Sequence, residues 1–314
     1  MRITALVKDG SGVDYHRIKI PLQYFPYKPG DTVLIADNRQ PFNTLLLATT
    51  DVLIYSRDCP FDIDEILNAR KKYGFKIVVD IDDYWHLSAN HPMLSTWISD
   101  NMSHKIVRSI GAADLITTTH EYLAKKIEIY NKRVVVLPNA VPFGKGQFTD
   151  EVVSNSNILY SCGASHLHDL KHISTFLQFC AADVEIQKYK LCIAGLNTTT
   201  PESARYWKSV ENAASLYGEV RMWRSAPLEQ YMLHYKYASV ALAPLEDSEF
   251  NRCKSWLKAL EGSVKKLPVL ASAVHPFTEV PVIHCKTQRD WFMNLKKLIK
   301  RPELAKEHGE ALHN

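Results

Sequence analysis

Amide and basic side chains precede a helix in the last third of the chain, and a carboxylate follows along the same helix. Segment 242–272 reads as an apolar strand, a polar loop, an amphipathic helix and a second apolar strand. Asn251 and Lys254 stand at the predicted helix start, where free N–H groups and the helix dipole favour phosphate. Glu261 lies further along and can accept hydrogen bonds from the vicinal hydroxyls of a sugar. The pattern predicts a site for a nucleoside diphosphate, on a helix that ends at Gly262.

This segment resembles the donor site of retaining GT-B-type glycosyltransferases, the large group that includes sucrose synthase-like and cell-surface polysaccharide enzymes. In that group a helix ending in Leu-Glu-Ala or Leu-Glu-Gly leads into a Pro-Val-Ile/Leu-Ala strand, and the resemblance implies that Glu261 holds the donor ribose. Cys253 stands where the group has its first glutamate. A compact bacterial or bacteriophage branch has Phe-Asn-x-x-Lys-Ser there instead. That pattern matches Phe250, Asn251, Lys254 and Ser255, and the resemblance implies that Asn251, Lys254 and Ser255 bind the donor.

A loop with glycine and histidine follows the predicted strand 158–162. It resembles the Gly-Ser-x-x-His-x-x-Asp-Leu loop of the same family at Gly163, His166 and Asp169. The resemblance implies that its backbone amides, with Lys171 nearby, face the donor phosphates. The alternative is a capping loop in which Asp169 begins the next helix.

A glycine-bearing loop also follows the first predicted strand, 2–7. Gly10 and Gly12 allow a tight strand-to-helix turn, where open α/β sheets bind ligands. This loop and a Tyr-x-Arg-x-x-x-Pro pattern resemble the start of many GT-B members. The resemblance assigns acceptor binding to Gly12, Tyr15 and Arg17. The alternative is an ordinary helix entrance.

Three carboxylates, Asp80, Asp82 and Asp83, come at the end of the predicted strand 76–81. They should lie at the carboxyl edge of a parallel sheet. Asp82 or Asp83 could there orient an acceptor hydroxyl or stabilise oxocarbenium charge, so both are candidate catalytic residues, with a structural strand-end cap as the alternative. Clustered carboxylates also suit a divalent ion, as in the DxD motif of GT-A-type transferases. That fold has one nucleotide-binding domain whereas this chain shows two, so no metal is predicted.

Strand–helix alternation runs along the whole chain and predicts an α/β protein with two doubly wound parallel sheets. The strand candidates are 2–7, 32–36, 52–56, 76–81, 113–119, 134–138, 158–162, 190–194, 220–223, 240–243, 267–271 and 282–284. The polar segment 142–156 is the predicted linker. It divides an acceptor domain, 1–145, from a donor domain, 155–314. Two Rossmann-like domains facing a cleft form the GT-B architecture that the resemblance implies.

Composition limits the class of protein. The chain has 314 residues, 46% of them hydrophobic, enough for two medium domains with cores. Its net charge is 38 − 34 = +4, too small to argue for nucleic acid by electrostatics alone. No apolar run approaches the roughly 20 residues of a membrane span, and the N-terminus does not read as a signal peptide. Six cysteines without a CxxC pair indicate reduced thiols in a cytoplasmic protein.

The sequence and the resemblance together predict a glycosyltransferase, retaining and metal-independent, that transfers a hexose or pentose from a nucleotide-sugar. The expected acceptor is a hydroxyl of a saccharide or lipid-linked sugar, and no cofactor is expected beyond the donor substrate. One alternative is a bacteriophage-type enzyme that glycosylates hydroxymethylated bases of duplex DNA, which the small size and mild positive charge allow. A second is a non-catalytic nucleotide-sugar-binding protein, which Cys253 favours.

Overall fold

The computed structural model describes residues 1–89, 91–153 and 156–314. These residues form two compact units, of which the first contains 1–89, 93–141 and 253–255 and the second contains the others. Residues 142–153 of the predicted linker group with the second unit, while Ser154 and Asn155 lie outside the described residues. In the described parts of the chain, no helix has both the length and the apolar character that crossing a membrane requires.

The first unit is built on a parallel sheet of six strands in the order β2-β1-β3-β4-β5-β6. The strands are β1 (Arg2–Val7), β2 (Thr32–Asp37), β3 (Val52–Ser56), β4 (Lys76–Ile81), β5 (Leu115–Thr118) and β6 (Val134–Val136). Its helices are α1 (Gly12–Asp14), α2 (Ile20–Tyr24), α3 (Ile63–Tyr73), α4 (Leu94–Ser99), α5 (Met102–Ala112) and α6 (Glu121–Ile127). A π-helical segment, Tyr15–Lys19, joins α1 to α2. The buried strands β3, β4 and β5 supply much of the core, with Leu53, Ile77 and Ile116 fully buried.

The second unit has another six-stranded parallel sheet, in the order β12-β11-β10-β7-β8-β9. Its strands are β7 (Asn157–Ser161), β8 (Lys190–Leu196), β9 (Val220–Arg224), β10 (Val240–Ala243), β11 (Val269–Ser272) and β12 (Ile283–Cys285). Its helices are α7 (Leu167–His172), α8 (Ser174–Ala181), α9 (Pro201–Ala214), α10 (Leu233–Lys236), α11 (Glu249–Arg252), α12 (Leu257–Val264), α13 (Gln288–Lys300) and α14 (Pro302–His313). The predicted class, α/β with two doubly wound sheets, is confirmed.

The helix predicted to end at Gly262 is different in the structure. The chain first makes the short helix α11, leaves helical geometry at 253–256, and resumes as α12, which continues past Gly262 to Val264. Gly262 therefore does not terminate the helix. Its role is close packing, since a Cβ at this position would lie 2.4 Å from Cγ2 of Val269 on β11. The prediction that Gly262 ends the helix was wrong. A close contact between a helix and a strand favours glycine as much as a helix C-terminus does.

Candidate functional site

The strand order of the second unit reverses between β7 and β10. The chain builds β8 and β9 on one side of β7, then returns to place β10, β11 and β12 on the other. In open parallel sheets, the loops leaving the two strands at such a reversal diverge and form a crevice for ligands. The loop after β7 contains Gly163, and the loop after β10 contains Glu246. The sequence therefore predicted both loops, and the strand order shows that they follow neighbouring strands at the reversal.

Asp169 links these two loops. Its side chain is fully buried, and Oδ1 accepts hydrogen bonds from the backbone N–H of Glu246 and from Nδ2 of Asn251, both at 2.9 Å. Oδ2 accepts from Nδ1 of His166 at 2.8 Å. Three residues predicted to bind the donor, His166, Asp169 and Asn251, are thus brought together. The alternative in which Asp169 begins its helix is wrong, because α7 already begins at Leu167 and the carboxylate bonds to other loops.

The charge of Asp169 is maintained by histidines. Burial by itself raises the pKa of this carboxyl, but the hydrogen bond from His166 and the charges of His166 and His168 hold it below its ordinary value. The carboxylate is consequently ionised at neutral pH and can act as a permanent acceptor for the loops around it.

A cavity of about 510 Å³ lies next to this cluster. It is lined by Pro92, Leu167, His168, Lys171, His172 and Glu246. The side chain of His168 is 10% exposed, its Nε2 is 3.4 Å from Oδ1 of Asp169, and neither ring nitrogen forms a hydrogen bond among the described residues. Lys171 is exposed and lines this cavity, and its contact with donor phosphates stays a prediction. Gly163, in the loop after β7, is also exposed.

Glu261 lies on α12 and is 6% exposed. The hydroxyl of Tyr235 donates a hydrogen bond of 2.6 Å to its Oε2, and among the described residues Oε1 has no hydrogen-bond partner. Burial and the neighbouring Glu261 raise the pKa of Tyr235 well above its ordinary value, so Tyr235 remains a donor at any physiological pH. One carboxylate oxygen is therefore fixed by Tyr235, and the other is left for a further donor.

Lys258 was not predicted as a site residue, although it lies one helical turn before Glu261. Its ammonium donates a hydrogen bond of 2.7 Å to the carbonyl of Ser161, the last residue of β7. It is also 5.9 Å from the ring centre of Tyr160. The i, i+3 spacing was the available signal, because residues three apart lie on one helix face. A cation is thereby placed at the carboxyl end of β7.

Lys254 and Ser255 group with the first unit rather than with the second. The ammonium of Lys254 is 3.7 Å from a carboxylate oxygen of Asp83. The hydroxyl of Ser255 accepts a hydrogen bond of 2.7 Å from Nδ2 of Asn139. Both side chains thus contact the loops that follow β4 and β6. No pattern in the sequence predicts these contacts, since Lys254 and Asp83 are far apart along the chain.

In the first unit, Arg17 is occupied by an internal ion pair. The guanidinium is 6% exposed and binds Asp80 through Nε and Nη2, at 2.9 and 2.8 Å. Nη1 donates to the carbonyl of Leu137 and to Oδ1 of Asn139. Arg17 therefore joins the loops and strand ends around Asp80, Leu137 and Asn139, and its buried guanidinium is not exposed to bind an acceptor substrate. Gly12 opens α1, and the half-buried Tyr15 begins the π-helical segment.

Asp82 and Asp83 lie just beyond β4 and share a cation that the sequence did not predict. Arg57, directly after β3, donates to Oδ1 of Asp82 at 2.6 Å and to Oδ2 of Asp83 at 2.8 Å. Burial opposes its charge, but the two carboxylates raise the pKa of Arg57 above its ordinary value. Its φ is +54°, in the left-handed region that residues other than glycine rarely adopt. No sequence signal marks such a conformation.

A second buried carboxylate fixes the loop after β1. Asp14 accepts a hydrogen bond of 2.6 Å from the backbone N–H of Lys8 and another from the hydroxyl of Ser56. The ammonium of Lys8 pairs with Asp58 at 2.5 Å. This loop lies at the strand-order reversal of the first sheet, between β1 and β3. Among the described residues, no group of three or more His, Cys, Asp or Glu side chains is arranged to hold a metal ion.

No family model matches the sequence, and no curated protein matches it either. Solved structures do resemble the chain. Anabaena HepE, solved in complex with UDP, has a TM-score of 0.63 at 11% identity, over 100% of this chain and 94% of HepE. A UDP-forming α,α-trehalose-phosphate synthase from Burkholderia xenovorans has a TM-score of 0.62 at 10% identity, over 99% of this chain and 94% of the synthase.

S. aureus TarM, solved with fondaparinux, α-GlcNAc-glycerol and UDP, has a TM-score of 0.57 at 13% identity. The match covers 83% of this chain and 51% of TarM, so the chain spans about half the length of that protein. At such low identities these likenesses establish a shared fold. The chain has the two-unit α/β fold of these GT-B proteins, as the sequence predicted.

Proposed function

We propose that the protein transfers a sugar from a nucleotide-sugar donor to an acceptor hydroxyl. The observation that carries the proposal is the buried carboxylate of Glu261, which Tyr235 holds by Oε2 while Oε1 keeps no partner among the described residues. A fixed acceptor of this kind suits the vicinal hydroxyls of a donor ribose. The fold supports it, since HepE and TarM, which resemble the chain, were both solved with UDP.

The donor diphosphate binds at the crevice between the loops that follow β7 and β10. Asp169 holds these loops in place through Glu246 and Asn251, so the crevice is built before a ligand arrives. Lys171, which lines the adjoining cavity, supplies positive charge, and the cavity's histidines supply ring N–H donors. Cationic and N–H donors there stabilise the negative charge that builds up on the leaving diphosphate.

The acceptor hydroxyl, on a saccharide or lipid-linked sugar, is oriented by Asp82 or Asp83. Arg57 keeps both carboxylates fixed, and the fixed positions reduce the reorganisation needed during reaction. Transfer proceeds with retention, as the resemblance to retaining enzymes implies. It needs no metal ion, because cationic side chains such as Lys258 take the place that a divalent ion would occupy. Gly12 and Tyr15 contact the acceptor substrate, while Arg17 holds the carboxylate of Asp80 in an ion pair.

The proposal is tested first by thermal unfolding of the protein with UDP, ADP or GDP and with the corresponding nucleotide sugars, in the presence and absence of Mg²⁺. A ligand that binds the folded state stabilises it, by about 2.7 kcal/mol when its concentration is 100 times Kd. We expect one nucleotide to raise the melting temperature without Mg²⁺. Glu261→Gln should abolish most of the shift in melting temperature. The variant replaces one accepting carboxylate oxygen by an NH2 group, which donates hydrogen bonds, so the side chain can no longer accept from both Tyr235 and the ribose.

Glu229→Gln, at an exposed position of the same unit, is the matched control and should retain the full shift. If no nucleotide or nucleotide sugar stabilises the protein, the proposal is wrong. Product analysis with saccharide acceptors and with hydroxymethylated duplex DNA then identifies the acceptor, and the anomeric configuration of the product tests retention.

A second candidate function is nucleotide-sugar binding without turnover. It is favoured by Arg57, which pairs with both candidate catalytic carboxylates, and by the buried Cys253 where related enzymes have a glutamate. Slow hydrolysis of the donor without acceptor separates the two functions. An enzyme should release free sugar and lose this activity in Asp82→Asn or Asp83→Asn, whereas a binding protein should show the thermal shift alone.

A further inference from the structure

Residues 147–153 contain no helix or strand and form a strap that binds both ends of α10. Before the helix, the side chain of Gln147 accepts a hydrogen bond of 3.0 Å from the backbone N–H of Met232 and donates one of 2.7 Å to the carbonyl of Leu228. At the helix end, the backbone N–H of Val153 donates to the carbonyl of Lys236 at 2.8 Å. The strap therefore holds α10 at two points.

The middle of the strap is bound to the end of α12. Lys265 directly follows this helix and is 4% exposed. Its ammonium donates hydrogen bonds to the carbonyl of Thr149 at 2.6 Å and to that of Gln147 at 3.4 Å. The next residue, Lys266, forms an ion pair of 2.9 Å with Asp150. Two consecutive side chains after α12 thus hold the strap.

Lys265 is a buried cation whose partners belong to the strap. Burial lowers the pKa of its ammonium below the ordinary value. The two acidic residues of the strap, Asp150 and Glu151, form their ion pairs with other lysines. Among the described residues, the ammonium of Lys265 therefore bonds to main-chain carbonyls alone. A buried ammonium that lost these bonds would be left with a large desolvation cost, so the carbonyls are held against the end of α12.

The two helices that the strap binds are those that build the proposed ribose acceptor. Tyr235 lies on α10 and Glu261 on α12, and a hydrogen bond of 2.6 Å joins them. Phe148 is 2% exposed and its ring centre is 6.4 Å from that of Tyr231, so the strap is also packed against apolar side chains. Because Tyr235 holds one carboxylate oxygen, the separation of α10 and α12 decides where Oε1 of Glu261 points.

We propose that Lys265 and Gln147 are positioning residues, which act through the strap to direct Oε1 of Glu261 towards the hydroxyls of the donor ribose. The inference rests on the proposed function, in which Glu261 holds that ribose. The contacts of Gln147 fix α10 and those of Lys265 fix α12, so the loss of either set should let the Tyr235–Glu261 pair move.

The test is calorimetric titration of the purified protein with UDP, ADP and GDP and with the 2′-deoxy and 3′-deoxy forms of each. In the wild type, loss of a hydroxyl that donates to a carboxylate should weaken binding about tenfold or more. In Lys265→Met and in Gln147→Met, the ribonucleotide should bind at least about fivefold more weakly and the deoxy form almost unchanged, so that discrimination falls to about twofold. A variant that is merely less stable has a smaller folded fraction, which lowers both affinities by the same factor and leaves their ratio unchanged.

Lys297→Met, at an exposed position on α13, is the matched control and should keep the wild-type discrimination. Circular dichroism shows that each variant is folded, and Gln147→Met, at a half-buried position, tests the strap even where Lys265→Met does not fold. Wild-type discrimination in both strap variants overturns this inference and leaves the proposed function standing. A wild-type protein that binds no nucleotide, or that binds ribo and deoxy forms equally, overturns the proposed role of Glu261 and this inference with it.

Discussion

Arg57 combines a strained backbone conformation with hydrogen bonds to both candidate catalytic carboxylates, Asp82 and Asp83. A left-handed backbone at a residue other than glycine costs on the order of 1 kcal/mol and persists only where the surroundings enforce it. Here the enforcement comes from Asp82 and Asp83, which both bind its guanidinium, and from its backbone N–H, which donates to the carbonyl of Asp80. The hydrogen bonds from the planar guanidinium to the two carboxylates offset the free-energy cost of the strained backbone.

Replacing Arg57 should destabilise the protein and disorder the two carboxylates. Arg57→Gln leaves Asp82 and Asp83 without their common partner, so we expect a loss of about 1–3 kcal/mol in the free energy of unfolding, below the range for fully buried pairs. Arg57→Lys keeps the charge but not the planar fork and should recover only part of the loss. Urea unfolding measures both.

Arg289→Gln, at an exposed position on α13, is the control and should change stability by less than about 0.5 kcal/mol. Equal stabilities of Arg57→Gln and the wild type would show that the three side chains do not support one another.

The sequence did not predict which side chains the candidate site residues would contact. Asp82, Asp83 and Arg17 were recognisable because each stands beside a predicted strand or pattern. Their pairing with Arg57 and Asp80 depends on which strands become neighbours in the sheet. Arg17 and Asp80 are 63 positions apart, and only folding brings them together. For this reason Arg17 was predicted to bind an acceptor, whereas the structure buries it.

Helix α12 illustrates how packing overrides a local signal. Its glycine has the residue type of a helix end, yet the helix continues because Gly262 is the point of closest approach to β11. The break before α12, at 253–256, likewise has no glycine or proline to announce it. Element type was predictable here from apolar periodicity, but element boundaries were decided by contacts between elements.

Gly262→Ala should destabilise the protein, because the new methyl group would overlap Cγ2 of Val269. Overpacking of this kind costs about 1–3 kcal/mol. Adding Val269→Ala removes the obstructing methyl, so the double variant should lose less than the sum of the two single variants. Chemical denaturation of the four proteins gives this coupling energy.

Gly111→Ala is the matched control on α5, where nothing lies within 4 Å of the added carbon. It should stabilise the protein by about 0.5–1 kcal/mol through helix propensity. A Gly262→Ala variant as stable as the wild type would contradict the close-packing explanation.

The overall architecture was the most predictable property of the chain. Twelve strand candidates, alternating with helices, required parallel sheets, and short apolar runs such as β10 and β11 mark buried strands. The order of strands within each sheet was not predictable, because alternation does not say on which side of the first strand the next one is placed. That order is what locates the crevice of the second unit between β7 and β10.

Buried cysteine thiols and tyrosine hydroxyls that stay protonated in the folded state should lower the stability of the protein at alkaline pH. Burial raises the pKa of Cys59, Cys162 and Cys285 to about 12, against an ordinary value of 9.0, and that of Tyr235 well above 10.0. Above the ordinary value the unfolded chain loses these protons while the folded chain keeps them, so stability is complete below about pH 9 and falls as pH rises. Each group contributes a slope of up to about 1.4 kcal/mol per pH unit.

Urea unfolding in the presence of a reductant, at neutral pH and at about pH 10, measures this fall. Cys285→Val removes one titrating group from β12 with little change in volume, so its stability should depend less steeply on pH than that of the wild type. Ile283→Val, two residues away on the same strand, alters packing without removing a proton and should keep the wild-type slope. Identical slopes for Cys285→Val and Ile283→Val would mean that the thiol of Cys285 does not retain its proton in the folded protein. The alkaline sensitivity would then have to arise from the other buried groups, such as Cys59, Cys162 and Tyr235.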